Sequence, residues 1–181
     1  MKKITTDIPD IILIEPDVFE DNRGYFFESY NNNKLISLGI DQNFVQDNQS
    51  LSEKNVLRGL HFQCPPYEQG KLVRVIKGAV LDVAVDIRKG SAYYGQWVSK
   101  ILSEKNKLMM WVPPGFAHGF LTLEPDTIFF YKCTNYYDKP SEGIIKWDDP
   151  EIGIEWNIDN PIISDRDKNG LSFKEFVSPF E

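Results

Sequence analysis

The stretch LVRVIKGAVLDVAVDI, residues 72–87, carries the clearest structural signal in the chain. Valine and other apolar residues dominate on both sides of Lys77-Gly78, a pair that favours a tight turn. The pattern predicts two strands, Leu72–Ile76 and Ala79–Ile87, joined as a hairpin. Two aspartates interrupt the apolar residues of the second strand.

Similar apolar and aromatic runs recur along most of the chain. They predict further strands at residues 11–14, 24–30, 94–101, 108–112, 119–123 and 127–133. Short strands separated by glycine and proline favour an all-β sandwich or barrel. A helix is predicted at Asn31–Leu38, ending at Gly39 as a C-cap, and a short helical turn near Phe173–Phe176. No linker divides the chain, so we expect one domain over residues 1–181, with a barrel core at about residues 40–135.

Composition limits the classes of function. The 181 residues carry a formal net charge of −7, which argues against a general nucleic-acid-binding surface. A small anionic ligand is still compatible, because a cleft can be basic on an acidic protein. Cys64 and Cys133 are the only cysteines, which favours inert thiols in a reducing compartment over a disulfide scaffold. No signal peptide or membrane-spanning stretch is recognised, so we expect a cytoplasmic protein that does not bind membranes.

The first of the two histidines, His61, lies in VLRGLHFQ, residues 56–63. A regular strand would place it on one face with Gly59 and Gln63, opposite Arg58. Histidine is the side chain best suited to move protons near neutral pH. His61 is therefore either a hydrogen-bonded core histidine or a general base inside a barrel.

The second histidine, His118, ends a Pro-x-Gly-x-x-His pattern in PPGFAH, residues 113–118. The pattern is known from the cupin family of β-barrels, where such a histidine often binds metal. A metal site needs three or four well-placed ligands. Here Gln63 and Glu68 could complete only a poor set with His61 and His118. A metal-binding cupin, such as a dioxygenase, is kept as an alternative, and no metal is expected.

Cations and tyrosines supply the remaining candidates. Arginine and lysine suit phosphate oxygens, and Arg58 and Lys71 adjoin strand segments near His61. Several cations with a few aromatic residues suit a nucleotide diphosphate. Tyr131 and Tyr137 are either core residues with one hydrogen bond each or, functionally, a phenol acid that faces a histidine base across a substrate.

The chain resembles the dTDP-4-dehydrorhamnose 3,5-epimerase family over almost its whole length. The matching segments are DNRGYF (21–26), FVQDN (44–48), VLRGLHFQ (56–63), GKLVRV (70–75), DVAVD (82–86), PGFAHGF (114–120), YKCT (131–134) and SDRD (164–167). The resemblance implies a cupin-type jelly-roll β-barrel with a few short helices, without metal or cofactor, that usually forms a homodimer. It also implies an isomerase that inverts C3 and C5 of dTDP-4-dehydro-6-deoxy-D-glucose through an enolate, giving dTDP-4-dehydro-L-rhamnose.

The same resemblance assigns the catalytic roles. His61 matches the family's base, and Asp167 matches the carboxylate that pairs with it. Tyr131 matches the acid on the opposite face of the sugar. Lys71 matches the residue that stabilises the oxyanion.

Substrate contacts are also implied by the resemblance. His118 and Asp82 would support the site, and Tyr137 matches an aromatic that contacts the sugar and influences whether one or two carbons are inverted. Positions that hold the nucleotide-sugar are matched by Arg23, Phe26, Glu28, Gln46, Asn48, Arg58, Glu142 and Arg166. The last of these stands where lysine is common, a change that keeps the charge.

Two further alternatives stay open at this point. A close variant in the same fold would invert only C3 of a related nucleotide-linked 4-keto sugar. A non-catalytic protein would bind the nucleotide-sugar without turning it over. The nucleotide base and the final deoxysugar rest on the resemblance alone.

Overall fold

The computed structural model describes residues 1–181, and most of its regular structure is β-strand. The strands are β1 (Lys2–Thr5), β2 (Ile12–Glu15), β3 (Phe19–Asp21), β4 (Gly24–Phe26), β5 (Gln46–Ser52), β6 (Val56–Gln63), β7 (Lys71–Lys77), β8 (Ala79–Asp86), β9 (Trp97–Ser103), β10 (Met109–Val112), β11 (Phe116–Thr122), β12 (Thr127–Cys133), β13 (Glu142–Ile144) and β14 (Ile162–Ile163). The helices are α1 (Asn32–Ser37) and α2 (Asp165–Lys168), and a 3₁₀ turn spans Lys139–Ser141. The all-β prediction is confirmed.

The strands form two main sheets, with the hairpin β3–β4 outside both. The first sheet has the order β1-β2-β10-β7-β12-β5, and its paired strands are antiparallel. The second has the order β13-β6-β11-β8-β9, with β14 added in parallel beside β6. Neighbouring strands are mostly distant in sequence, as in the jelly-roll barrel expected of a cupin-type fold.

Apolar side chains fill the space between the sheets. Val73 and Phe129 from the first sheet pack in one cluster with Val80 and Phe120 from the second. The outer face of the first sheet is covered by α1 through the fully buried Leu35. The outer face of the second sheet is covered by the segment after β13, which contributes buried side chains such as Trp156 and Phe176. Three apolar layers thus hold the two sheets in place.

The predicted hairpin at Lys77-Gly78 is wrong, although both of its strands exist. β7 pairs with β10 and β12, whereas β8 pairs with β11 and β9 in the other sheet. Gly78, at φ +81°, turns the chain from one sheet to the other, and a Cβ there would lie 2.4 Å from Thr127 Oγ1. A corner between two packed sheets buries the same apolar positions as a hairpin would, so the pattern does not distinguish them.

The predicted helix is confirmed as α1. The side chain of Asn31 caps it by accepting a hydrogen bond from the amide of Lys34, and the helix ends just before Gly39. The predicted helical turn near the C-terminus is a hydrogen-bonded turn from Ser172 to Phe176. The strand predicted at residues 24–30 is shorter, since β4 ends at Phe26. Neither helix has the length and apolar character needed to cross a membrane.

Candidate active site

A cleft between the two sheets brings together most of the predicted site residues. It consists of two adjoining cavities of about 240 and 260 Å³, both lined by Asn48, His61, Lys71 and Tyr131. The first cavity is also lined by Arg58 and His118, and the second by Gln46, Tyr137 and Glu142. Side chains from both sheets therefore converge on one concave site.

An irregularity in β6 sets which of its side chains reach the cleft. His61 pairs with His118 on β11, but Phe120, two residues further along β11, pairs with Arg58, three residues back along β6. The extra residue is a β-bulge, which changes the alternation of the strand. As a result Arg58 and His61 line the same cavity, and the expectation of a regular strand with the two on opposite faces is wrong.

Glycine is required at this bulge. Gly59 has φ +133°, and a Cβ there would lie 2.5 Å from the Cα of Gly119 on the neighbouring strand. No other residue fits so close a backbone approach in that conformation. The Gly59 amide is also turned toward Asp167, to which it donates a hydrogen bond of 3.3 Å. The bulge therefore shapes the strand and supports the carboxylate behind His61.

His61 forms a hydrogen bond with Asp167, with 2.7 Å between its Nε2 and the carboxylate Oδ1. Asp167 is only 4% exposed and lies in α2, where Ser164 caps the helix and accepts from the Asp167 amide. Burial alone would raise the pKa of Asp167, but the hydrogen bond and charge of His61, with the Gly59 amide, lower it below its ordinary value. The ionised carboxylate therefore orients one nitrogen of the ring, while the ring borders the cleft.

Tyr131 lines both cavities from β12, on the sheet opposite His61. Burial, aided by the nearby Cys133, raises the pKa of Tyr131 to about 12, although Arg58 acts in the opposite direction. The phenol therefore keeps its proton at neutral pH. An imidazole and a protonated phenol thus border one cleft from different sheets.

Lys71 contributes a partly buried amino group to the same cleft. Its Nζ lies 6.0 Å from the centre of the Tyr131 ring. Burial lowers the pKa of Lys71, and the charges of Cys133, Glu142 and Asp82 partly oppose this effect. When it is protonated, this group interacts more strongly with a nearby negative charge than it would in bulk water.

The second histidine also pairs with a carboxylate. His118 Nε2 lies 2.9 and 3.1 Å from the two oxygens of Asp82, and both side chains are buried. Burial raises the pKa of Asp82, against the opposing effects of His118 and Lys71. His118 borders the cleft, whereas Asp82 lies behind it and is not part of the lining.

A network of hydrogen-bonded polar side chains lies at one end of the cleft. The hydroxyl of Tyr137 donates to Glu142 Oε2 over 2.8 Å, and the Arg166 guanidinium binds the same oxygen. The hydrogen bond to Glu142 raises the pKa of Tyr137 and that of Arg166. The amide of Tyr137 donates to the side chain of Gln46, whose amide group in turn donates to Asn48. These residues surround the mouth with polar groups.

Three of the predicted substrate-binding residues, all of which precede β5 in the chain, lie away from the cleft. Arg23 lies on the β3–β4 hairpin and pairs with Asp21 at 2.6 Å. Phe26, on the same hairpin, is 66% exposed. Glu28 binds Lys34 and Asn31 beside α1. The hairpin borders a separate open cavity of about 490 Å³. A role for these residues in binding stays a prediction.

Several residues that line the cleft were not predicted. They are Gln49, Ser50, Phe120, Phe129, Phe62, Gln63 and Gln69. Ser50 follows the alternation of β5 from Gln46 and Asn48, so that pattern could have indicated it. Phe120 and Phe129 stack with 4.1 Å between their ring centres and form the apolar floor of the cleft. Their role could not be separated from ordinary core packing in the sequence.

The donor set of a metal site does not assemble in the described residues. No group of three or more His, Cys, Asp or Glu side chains is arranged to hold an ion. Nε2 of each histidine is hydrogen-bonded to an aspartate. Gln63, considered above as a ligand, binds backbone groups instead.

Comparison with known proteins identifies the family. The sequence profile described as dTDP-4-dehydrorhamnose 3,5-epimerase matches residues 5–175. The dTDP-4-dehydrorhamnose 3,5-epimerase of Shigella flexneri is 52% identical over 174 residues, which cover 96% of each chain.

Solved structures agree with this match. A dTDP-6-deoxy-D-glucose-3,5-epimerase from Legionella pneumophila, in complex with dTDP-4-keto-L-rhamnose, has a TM-score of 0.93 and 46% identity, covering 97% of this chain and 94% of that chain. A 3′-monoepimerase from Streptomyces bikiniensis, in complex with dTDP-quinovose, has a TM-score of 0.87 and 30% identity, covering 93% and 86%. With a profile that spans nearly the whole sequence, a full-length relative and the same fold, the chain belongs to the dTDP-4-dehydrorhamnose 3,5-epimerase family of isomerases.

Proposed function

We propose that the protein inverts C3 and C5 of dTDP-4-dehydro-6-deoxy-D-glucose to give dTDP-4-dehydro-L-rhamnose, with His61 as base and Tyr131 as acid. The main support is the cleft itself, in which an imidazole backed by Asp167 and a protonated phenol come from opposite sheets. Family membership supports the reaction and the substrate class.

The substrate's own ketone makes the reaction feasible. The C4 carbonyl acidifies the hydrogens on both neighbouring carbons, so removal of either gives an enolate whose charge rests on the C4 oxygen. Return of a proton to the opposite face of the carbon inverts that centre. The hydrogen that leaves goes to the base, and the hydrogen that arrives comes from the acid.

His61 is suited to be the base. A free imidazole has a pKa of ~6.5, which is low for removing a hydrogen from carbon. Asp167 compensates in part, because an ionised partner stabilises the imidazolium that forms after transfer and holds the ring in one tautomer. A positioned general base contributes roughly 10²–10⁴-fold to the rate.

Tyr131 and Lys71 complete the chemistry. The Tyr131 phenol stays protonated with its pKa at about 12, so it can deliver a proton to the face of the carbon opposite His61. The Lys71 ammonium stabilises the charge that develops on the C4 oxygen. A preorganised group of this kind is worth about 3–4 kcal/mol in the transition state.

The mouth of the cleft suits the nucleotide diphosphate. Arg58, Lys71 and Arg166 supply positive charge at or near the cleft of a protein whose net charge is negative. Arginine binds phosphate oxygens through paired donors, and a locally basic cleft attracts an anion despite the overall charge.

We further propose that the working form is a homodimer in the cytoplasm, in which the β3–β4 hairpin reaches the cleft of the other copy. Phe19 and Phe26 on this hairpin are each 66% exposed, which favours burial by a partner. The free thiols of Cys64 and Cys133 suit a reducing compartment. Light scattering that gives a dimer mass, with weaker substrate binding in Arg23→Ala, is the expected result; a monomer of full activity would contradict it.

The reaction is tested by NMR of the dTDP-sugar product formed in D₂O. Deuterium at both C3 and C5 is expected, with none in the His61→Ala variant. Label at C3 alone would favour a 3-epimerase like the Streptomyces bikiniensis protein. Binding without label at either carbon would favour a non-catalytic nucleotide-sugar protein, and activity lost on chelation with stoichiometric iron would favour a metal-dependent cupin.

A further inference from the structure

Gln63 has an unusual environment for a residue next to the cleft. It ends β6, two residues after His61, and is only 4% exposed. Its side-chain nitrogen donates to the backbone oxygens of Tyr67, at 2.5 Å, and Tyr136, at 3.2 Å. Its side-chain oxygen accepts from the amide of Asp138 at 2.9 Å. All three partners are backbone groups in two loops.

The hydrogen-bonding capacity of this side chain is nearly used up. A glutamine amide has two donor hydrogens and one acceptor oxygen. In Gln63 both hydrogens and the oxygen are engaged within the protein. It therefore has no donor left for a substrate, although it borders the second cavity. Such a buried, satisfied amide fixes the groups around it.

What Gln63 fixes is the segment that carries Tyr137. The two residues bound on this segment, Tyr136 and Asp138, are the immediate neighbours of Tyr137. The Tyr137 side chain is 50% exposed, so core packing does little to hold it. Gln63 also pairs in register with Glu142, the residue that accepts the Tyr137 hydroxyl. The backbone on either side of Tyr137 and the acceptor of its hydroxyl are thus both held by contacts with the end of β6.

Inversion at two carbons depends on how the sugar ring is oriented in the cavity that Tyr137 lines. C3 and C5 lie on either side of C4, so a single His61 and Tyr131 pair can serve both only if the sugar ring changes its orientation between the two steps. Tyr137 lines the same cavity as that pair. The position of its segment therefore limits which orientations the ring can adopt.

We propose that Gln63 is a positioning residue that acts through Tyr137 to hold the sugar in the orientation needed for the second inversion. The inference rests on the proposed epimerase function and deepens it. It predicts that loss of the Gln63 hydrogen bonds changes the ratio of the two inversions more than it changes the fold or the affinity for dTDP.

The test compares Gln63→Met, which keeps the length of the side chain without its hydrogen bonds, with the wild-type protein in D₂O. The fraction of product labelled at only one of C3 and C5 is expected to rise roughly fivefold, which corresponds to a change of about 1 kcal/mol in the relative barriers of the two inversions. Gln96→Met is the matched control, because the Gln96 side chain also donates to a backbone oxygen, that of Ala92, but is exposed and lines neither cavity of the cleft. It should leave the ratio unchanged.

A double variant separates positioning from general stabilisation. In a Tyr137→Ala background, Gln63→Met should not change the label ratio further, since the residue through which it acts is gone. A merely structural role would lower the melting temperature and reduce both labels equally, which would overturn the proposal. If Gln63→Met does not fold, Gln63→Glu, whose side chain can still accept from Asp138, is expected to shift the ratio in the same direction by less.

The outcomes distinguish the two proposals. A wild-type protein that labels neither carbon would contradict the epimerase function. A wild-type protein that labels both carbons, with an unchanged ratio in the folded Gln63 variant, would contradict the positioning role alone.

Discussion

The two histidine–aspartate pairs of this protein use the same hydrogen bond in different surroundings. His61 binds Asp167 at 2.7 Å, and His118 binds Asp82 at 2.9 Å. The two histidines even face each other in register across β6 and β11. By distance alone the pairs would be equivalent candidates for the base.

Exposure and charge separate them. The His61 side chain is 29% exposed and that of His118 only 6%. Burial with too little compensation raises the pKa of Asp82, whereas hydrogen bonds lower the pKa of Asp167 in spite of burial. One pair thus has a carboxylate with a lowered pKa and a ring that is partly exposed at the cleft, whereas the other borders the same cleft with a ring that is almost fully buried. Exposure of the ring and the lowered pKa of its carboxylate partner therefore make the His61–Asp167 pair the better candidate for proton chemistry.

The largest expected difference between the pairs is in turnover. His61→Ala should lower kcat by roughly 10²–10⁴-fold, the usual contribution of a positioned general base, with dTDP affinity largely kept. His118→Ala should lower kcat less and reduce the melting temperature more, because it removes a buried partner of Asp82. Steady-state kinetics and calorimetry on both variants measure this. An equal loss of turnover with no loss of affinity in both would remove the distinction.

Tyr131, the proposed acid, offers a second test of this contrast, because the proposed mechanism pairs it with His61 and not with His118. Tyr131→Phe removes a hydroxyl without changing the ring, and should lower kcat by roughly 10²-fold or more with binding retained. In this variant, the rate at which substrate hydrogen exchanges with solvent through His61 should fall less than the rate of inversion. Proton NMR of recovered substrate and product reports both. Inversion at an undiminished rate in this variant would show that another group supplies the proton.

The sequence alone could predict part of this architecture. Apolar patterning predicts the all-β class, and Asn31 with Gly39 predicts the bounds of α1 to within one residue at each end. The same patterning fails at Gly78, because a corner between sheets and a hairpin bury the same positions. Local patterns thus predict the helix and the strands, but they do not predict which strands pair.

The site shows the same limit. Asp167 is 106 residues from His61 in sequence, and no local pattern links them, so only the family resemblance suggested the pair. The bulge at Gly59 depends on its close approach to Gly119, which is a tertiary contact. It brings Arg58 into the cleft beside His61, contrary to strict alternation. Sequence patterns identify candidates, and long-range packing decides which of them meet.

Arg58 offers a smaller test that leaves both pairs intact. Its Nε donates to Ser52 Oγ over 3.2 Å, and its side chain lines the cavity beside His61. Arg58→Ala should raise KM roughly 10- to 100-fold, the range for losing a hydrogen bond to a charged group, with a smaller change in kcat. Arg88→Ala is not a suitable control because the Arg88 side chain forms ion pairs with Asp86 and Asp10, so Lys54→Ala, at an exposed position, serves instead. A fall in kcat with unchanged KM would mean that Arg58 acts in the chemical step.

The smallest expected effect is on the pH dependence of stability. The contributions of Asp167 and Asp82 to the free energy of unfolding should change with pH in opposite directions. The lowered pKa of Asp167 means that its ionisation stabilises the fold above its ordinary value of 3.8, a contribution lost as the pH falls through the native pKa. The raised pKa of Asp82 means that its ionisation opposes folding, so its contribution becomes more favourable as the pH falls from the native pKa toward 3.8. The wild type should therefore be more stable than Asp167→Asn near neutrality, and this difference in the free energy of unfolding should shrink in acid.

Relative to Asp82→Asn, the wild type should gain stability at less acidic pH, as the pH falls from the raised native pKa of Asp82 toward 3.8. Each pKa unit of difference between the folded and unfolded states corresponds to about 1.4 kcal/mol in the free energy of unfolding. Urea unfolding of the three proteins at several pH values between neutrality and acid measures both trends, with each variant as the other's control because both changes replace a carboxylate by an amide. Curves that run in the same direction for both variants would mean that the two carboxylates have the same environment. The contrast in exposure between His61 and His118 would then be the only difference between the pairs.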